Sequence, residues 1–143
     1  MINNRLNLAE ILRIVSEEGA KAKRVELLRE LLSRKPILKQ VFYYTYSDEV
    51  EWDLPEGNPP FEPLDMPENW GYNRLPSELR KMKYFLKGNT LNSIKRENVF
   101  ITLLESVSPE EAELLLMMKN RKLDYKGLNK KFIEENFPEL LVS

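Results

Sequence analysis

The residues best suited to bind a ligand lie near the end of the chain, within residues 121–138. Lys130 and Lys131 open a short predicted helix there, and Glu134 and Glu135 lie toward its end. The helix macrodipole favours the opposite order, and each misplaced surface charge costs about 0.3–1 kcal/mol. Free N–H groups and lysines at a helix start favour phosphate, so the order indicates a phosphate-binding turn. A solvated charged face is the plainer interpretation, and spacing alone favours it.

Histidine and cysteine are absent from the 143 residues. The sequence therefore lacks the commonest metal ligand and general base, and it has no thiolate nucleophile, disulfide or cysteine-ligated metal. The remaining candidates for acid–base chemistry are carboxylates, and no pair of them stands in a supporting motif. We predict that the protein is not an enzyme, that it needs no cofactor or metal, and that it has no small-molecule substrate.

The net charge is −1, so any contact with nucleic acid has to come from local basic patches rather than from a global field. The first residues contain no apolar run of signal-peptide length. Nowhere do eighteen apolar residues follow one another, so we expect no contact with a membrane. The lack of cysteine is compatible with the reducing cytoplasm, which is the predicted location.

Apolar residues at helical spacing predict an all-α fold of about six to seven helices in a single domain, residues 1–143. No segment alternates with a period of two over a useful length. Asn7 is a predicted N-cap, and Ser108, Pro109 and Glu111 combine an N-cap serine, a proline at the first helical position and a glutamate three residues after the cap. The predicted helices cover about residues 8–18, 21–34, 36–46, 76–87, 92–107, 109–121 and 130–137.

Residues 48–73 form a predicted irregular insertion, which we call the acidic loop. It has five prolines and eight acidic residues but no lysine or arginine, and loops of this length are usually functional or disordered. Trp52, Phe61, Trp70 and Tyr72 are atypical of disorder, so we expect the loop to pack on the helices through these rings. Its carboxylates lack the spacing of a calcium loop. They are expected to face solvent or a partner, or to lie against the protein's own basic residues in place of nucleic acid.

Five segments together resemble a known domain: Leu8–Leu12, Leu38–Ser47, Met117–Leu123, Gly127–Lys131 and Asn136–Leu141. They are similar, in order and distance, to parts of the N-terminal all-helical DNA-binding domain of bacteriophage-type ATP-dependent DNA ligases. In that domain, two helices joined by a glycine-containing turn end in an aromatic–Pro–Gly–Leu–hydrophobic signature. The resemblance implies a phage protein with a ligase-type helical fold, and it brackets nearly the whole chain.

In those ligases the domain wraps the duplex and contacts phosphates on the minor-groove side without reading sequence. The resemblance implies that the corresponding residues here contact phosphate: Arg121, Lys122, Lys126, Gly127, Asn129, Lys130 and Lys131. Two departures are visible. Glu139 stands where the family usually has glycine, and the chain has neither an adenylation domain nor a Lys-x-Asp-Gly motif, so we expect no ligation.

The sequence predicts two alternative functions. The first is a non-catalytic phage accessory protein that binds the backbone of duplex DNA without sequence preference in the cytoplasm of an infected bacterium. It would use Lys119 and the residues named above, together with cations of the fourth and fifth predicted helices: Arg80, Lys81, Lys83, Lys87, Lys95 and Arg96. The alternative is an adaptor that binds phage or host replication or transcription machinery. It would use the loop aromatics Trp52, Phe61, Trp70 and Tyr72, because aromatic residues are enriched at interface centres and acidic flanks steer a basic partner.

Overall fold

A computed structural model describes residues 6–63 and 73–143. Over these ranges the chain is helical and contains no strand, which confirms the predicted all-α class. Seven α-helices and two 3₁₀ helices occur in the described part of the chain. The α-helices are α1 (Leu8–Glu17), α2 (Lys21–Arg34), α3 (Leu38–Tyr46), α4 (Leu75–Glu78), α5 (Ser93–Ser106), α6 (Pro109–Lys119) and α7 (Lys130–Asn136). The 3₁₀ helices are Leu79–Phe85, directly after α4, and Pro138–Leu141, after α7.

Helix α1 begins where its local sequence signal predicts. The side chain of Asn7 accepts a hydrogen bond from the backbone N–H of Glu10 (2.8 Å), and the Glu10 carboxylate accepts one from the N–H of Asn7 (3.0 Å). This reciprocal capping box satisfies two of the free donors at the start of α1. The apolar stripe of α1, which includes Ile11 and Val15, is fully buried.

The core is built around α3 and α6, which pack on each other, while α1 and α5 flank α6. Tyr46, at the end of α3, fixes the segment that follows α6. Its hydroxyl donates a hydrogen bond to the carbonyl of Leu128 (2.9 Å) and accepts one from the N–H of Leu123 (3.0 Å). The turn between α6 and α7 is therefore held at two points by one buried side chain.

The fourth predicted helix has a different form from the one expected. Pro76 lies in a single α-turn that continues as a 3₁₀ helix, and this helix ends at Phe85 rather than near Lys87. Leu79, Met82 and Phe85 are fully buried, and their spacing of three residues matches the 3.0 residues per turn of a 3₁₀ helix. Because the helix has 3.0 rather than 3.6 residues per turn, these three apolar side chains lie in one row against the core.

Ser108 caps α6 as predicted, because its hydroxyl accepts a hydrogen bond from the N–H of Glu111 (3.3 Å). The Glu111 carboxyl group, however, is buried and has Leu8 and Leu75, the first residues of α1 and α4, as its backbone neighbours. The starts of three helices therefore meet at one acidic side chain. Within the described ranges, no helix is both long enough and apolar enough to cross a membrane.

Candidate nucleic-acid interface

The predicted phosphate-binding residues lie in the turn that joins α6 to α7, which we call the basic turn (Arg121–Lys131). Two left-handed residues shape it: Arg121 has φ of 63° and Gly127 has φ of 82°. Asn129 caps α7 as expected, with its side-chain oxygen accepting from the N–H of Phe132 (2.8 Å). The turn is anchored to α1 as well, because Ser16 donates a hydrogen bond to the carbonyl of Lys126 (2.7 Å).

Arg24 of α2 is brought against the glycine of the basic turn. A Cβ atom built on Gly127 would lie 2.7 Å from both Cζ and Nε of Arg24, so only glycine leaves room for the guanidinium. The same guanidinium lies 5.0 Å from the centre of the Phe132 ring and donates to the carbonyl of Glu18 (2.8 Å). Nothing in the sequence marks Arg24 as a neighbour of the basic turn, since roughly a hundred positions separate it from Gly127 and it stands in no local motif.

Lys119 and Arg121 are directed at the protein's own backbone rather than outward, contrary to their predicted use as phosphate contacts. Lys119 is buried and donates a hydrogen bond to the carbonyl of Gly57. The guanidinium of Arg121 donates to the carbonyls of Ser47 (2.6 Å) and Val50 (2.7 Å). These bonds fasten the first part of the acidic loop to the end of α6.

Carboxylates of the acidic loop pair with three cations that the sequence suggested as DNA contacts. Asp48 lies 3.1 Å from Lys130, Glu51 lies 2.9 Å from Lys87, and Asp53 lies 3.2 Å from Arg96. The interpretation that the loop lies against the protein's own basic residues is confirmed for these three acids.

The same pairs relate the two predicted basic regions to each other. Asp48 and Glu51 are three residues apart, a span of at most about 10 Å, so Lys130 and Lys87 approach one short stretch of the loop. The side chains of Glu51 and Asp48 are 69% and 88% exposed, and pairs of this kind contribute at most about 1 kcal/mol. A more strongly bound anion can therefore displace these carboxylates from the two lysines.

Of the other predicted cations, Lys81 is half-buried and lies 2.7 Å from Glu78, and the rest are exposed. Lys122 and Lys126 form no ion pair with any residue that the structure describes. Lys131 is 83% exposed and lies 3.9 Å from Glu135, one turn along α7. Lys83 is exposed, with its ammonium 5.4 Å from the centre of the Tyr84 ring.

Two of the aromatic residues proposed for a protein partner take part in the fold. Trp52 stacks on Phe85 with ring planes 10° apart and donates its indole N–H to the carbonyl of Tyr44 (3.0 Å). Phe61 is partly buried against the core. Packing of the loop through its rings is thus confirmed for these two, whereas Trp70 and Tyr72 lie outside the described residues.

One protein-family model matches most of the chain. Residues 11–125 match a family described as a family of unknown function, DUF6433. The chain belongs to this family. No curated protein and no solved structure matched the chain. In this DUF6433 protein the match includes the acidic loop and its anchors Lys119 and Arg121, and it ends two residues before Gly127.

Proposed function

We propose that this DUF6433 protein is a non-catalytic accessory protein that binds the backbone of duplex DNA without sequence preference through its basic turn. The observation that carries the proposal is the position of Arg24 against Gly127. A planar guanidinium matches the geometry of phosphate, and the missing side chain of Gly127 leaves the space that this guanidinium occupies. The fold therefore adds a guanidinium to a turn whose other available cations are lysines.

The cations available for such contacts are Arg24, Lys122, Lys126, Lys130 and Lys131. Lys119 and Arg121 do not contribute, because the ammonium of Lys119 and both terminal nitrogens of Arg121 donate to backbone carbonyls. Arg24 differs from them, because only its Nη1 donates to backbone carbonyls, those of Glu18 and Gly19. Lys130 and Lys131 have only exposed carboxylate partners, which cost little to exchange for phosphate. Each lysine or arginine that neutralises a phosphate releases condensed counterions, and this release drives the association.

The resemblance to the DNA-binding domain of phage-type ligases supports the same function. Such a domain acts without sequence readout, and it uses helices joined by a glycine-containing turn. A phage protein of this kind would work in the cytoplasm of the infected bacterium. The phage origin and the cytoplasmic location belong to the proposal, together with the DNA-binding role.

Fluorescence anisotropy with a short labelled duplex at about 50 mM salt tests the proposal. The Lys126→Ala/Lys131→Ala variant should bind more weakly, and its plot of log K against log salt should be shallower by about 1.8, or about 0.9 for each lost contact. Lys35→Ala/Lys39→Ala, which removes the same charge away from the basic turn, serves as the matched control and should keep the wild-type slope. Absence of binding by the wild type, or equal losses in both variants, would refute DNA binding by the turn.

A protein-binding adaptor is the second candidate. Glu56 and Glu62 of the acidic loop are exposed and form no ion pair with described residues, so they are free to steer a basic partner. Trp52 and Phe61 give this function less support, since both rings are used in packing. Pull-downs with the wild type and with Glu56→Gln/Glu62→Gln test the adaptor function. Identical partner lists would show that the charge of the acidic loop does not recruit a partner.

A further inference from the structure

A cavity of about 280 Å³ lies between the acidic loop and the helices α5 and α6. The loop contributes one wall and the middle of α5 contributes the other, and Lys119, the last residue of α6, closes it. The volume is close to the lower limit for cavities that bind small molecules, about 300 Å³. The side chains that make it mostly apolar are Leu54, Pro55, Pro59, Pro60, Phe100 and Ile101.

Lys119 is the unusual residue of this cavity. It is only 7% exposed, and its ammonium donates a hydrogen bond to the Gly57 carbonyl and lies 3.4 Å from Oδ1 of Asn120. An ammonium has three N–H donors, so one of them lacks an acceptor in the described part of the chain. No carboxylate of the described residues lies within ion-pairing distance of it.

Buried lysines are almost always paired with an anion, because a charge out of water is costly. Here the burial lowers the pKa of Lys119, and the negative charge of Glu56 opposes that shift only in part. The protein thus holds a buried ammonium beside an apolar space without supplying its counterion. A ligand that brings both an anion and an apolar body would satisfy the two features together.

We infer that this cavity binds a small organic carboxylate with an apolar body. The carboxylate pairs with the ammonium of Lys119, and the body contacts the prolines and Phe100. Glu56 and Glu97 also line the cavity, and they repel a ligand whose charge points away from the lysine, so they favour this single orientation. The site is independent of the basic turn and of the proposed DNA binding.

An NMR titration of the ¹⁵N-labelled wild-type chain with benzoate, and separately with benzamide, tests the inference. Benzamide has nearly the same shape without the charge. Benzoate should produce saturable shifts at the amides of Glu56, Gly57 and Asn58, and its affinity should exceed that of benzamide by about tenfold or more, since hydrogen bonds to charged groups are the stronger ones. Equal affinities, tighter binding of the cation benzylamine, or no saturable shift with benzoate would each overturn the inference.

Three variants locate the charge that matters. Lys119→Met keeps the apolar stem and should lose the preference for benzoate, whereas Lys122→Met removes an exposed lysine nearby and should bind like the wild type. Glu56 is exposed, so Glu56→Gln leaves the fold intact and should bind benzoate up to about fivefold more tightly by removing a competing charge. Retained preference in Lys119→Met, or weaker binding by Glu56→Gln, would contradict the assignment. If Lys119→Met does not fold, the Glu56→Gln variant and the benzamide comparison decide the matter.

Discussion

Glu111 makes the stability of this protein depend on pH near neutrality. Its side chain is buried in the first turn of α6, and its Oε2 atom has no hydrogen-bond partner among the described residues. Burial raises the pKa of Glu111 to about 7. The backbone N–H groups of Leu75 and Leu8 and the positive charge of Arg74 lower the pKa, but they offset the burial only in part, while Glu10 adds to the rise.

The size of the effect on the free energy of unfolding follows from the rise in the pKa of Glu111. The ordinary value is 4.5, and each pKa unit corresponds to about 1.4 kcal/mol, so the rise to about 7 corresponds to about 3 kcal/mol. Because the pKa is higher in the folded than in the unfolded state, the folded state binds the proton more tightly between these two values. The contribution to stability is complete below about pH 4.5 and is lost as the pH rises through about 7. Against a total of about 5–15 kcal/mol, such a loss is large.

Urea unfolding at about pH 5 and about pH 8 measures the contribution. Relative to Glu111→Gln, which cannot ionise, the wild type should lose about 2–3 kcal/mol of unfolding free energy over this range. The glutamine variant should therefore be the more stable protein at the higher pH. Glu113→Gln, at an exposed position of the same helix, should follow the wild type within about 0.5 kcal/mol.

One result would refute a raised pKa for Glu111. If the wild type and Glu111→Gln change by the same amount between the two pH values, the carboxyl group does not titrate in this range. A wild type that loses stability relative to Glu111→Gln as the pH falls below about 4.5 would show that the neighbouring N–H groups outweigh the burial. In that case the three helix starts would be stabilised by a carboxylate rather than by a neutral acid.

Three further predictions concern the loop and the turn. Gly127→Ala should destabilise the fold by about 1–3 kcal/mol, because the added Cβ meets a guanidinium and the residue has φ of 82°, which is strained for alanine. Gly88→Ala is the control, since Gly88 has φ of 89° but open space around it, so this variant has only the backbone strain. Thermal unfolding of both variants measures the difference. Arg121→Met should cost about 2–4 kcal/mol in urea unfolding, since two buried carbonyls lose charged donors. Asp48→Asn/Glu51→Gln should raise the affinity for duplex DNA several-fold by releasing two paired lysines, and unchanged affinity would show that the loop does not compete.

The helix boundaries were predictable where the signal is local. A cap joins a side chain to a backbone group three residues away, so Asn7 and Ser108 could be recognised from a few letters. The type of the helix after Pro76 was not predictable in this way. Apolar residues three apart are compatible with one face of an α-helix and with one row of a 3₁₀ helix, and the packing of Phe85 against Trp52 and Phe100 is long-range information.

The candidate site was predictable in composition but not in geometry. The sequence identifies every cation of the basic turn, yet it does not say which charges are available. Arg121 and Lys119 reach carbonyls 62 to 74 residues away, and such pairings leave no periodic signal in the sequence. Arg24 is the converse case, because only the folded chain brings it to Gly127.

The ion pairs of the acidic loop change what the net charge of −1 implies for DNA binding. Asp48, Glu51 and Asp53 are neutralised locally, so they do not repel DNA from Lys122, Lys126 and the other exposed cations as free carboxylates would. A lysine adds to the salt slope only when it contacts a phosphate, and a carboxylate partner within the protein competes with that contact. Freed of its partner, each of Lys87 and Lys130 should add about 0.9 to the slope. The salt dependence of Asp48→Asn/Glu51→Gln should therefore be steeper than that of the wild type, and equal slopes would mean that these lysines do not touch the duplex.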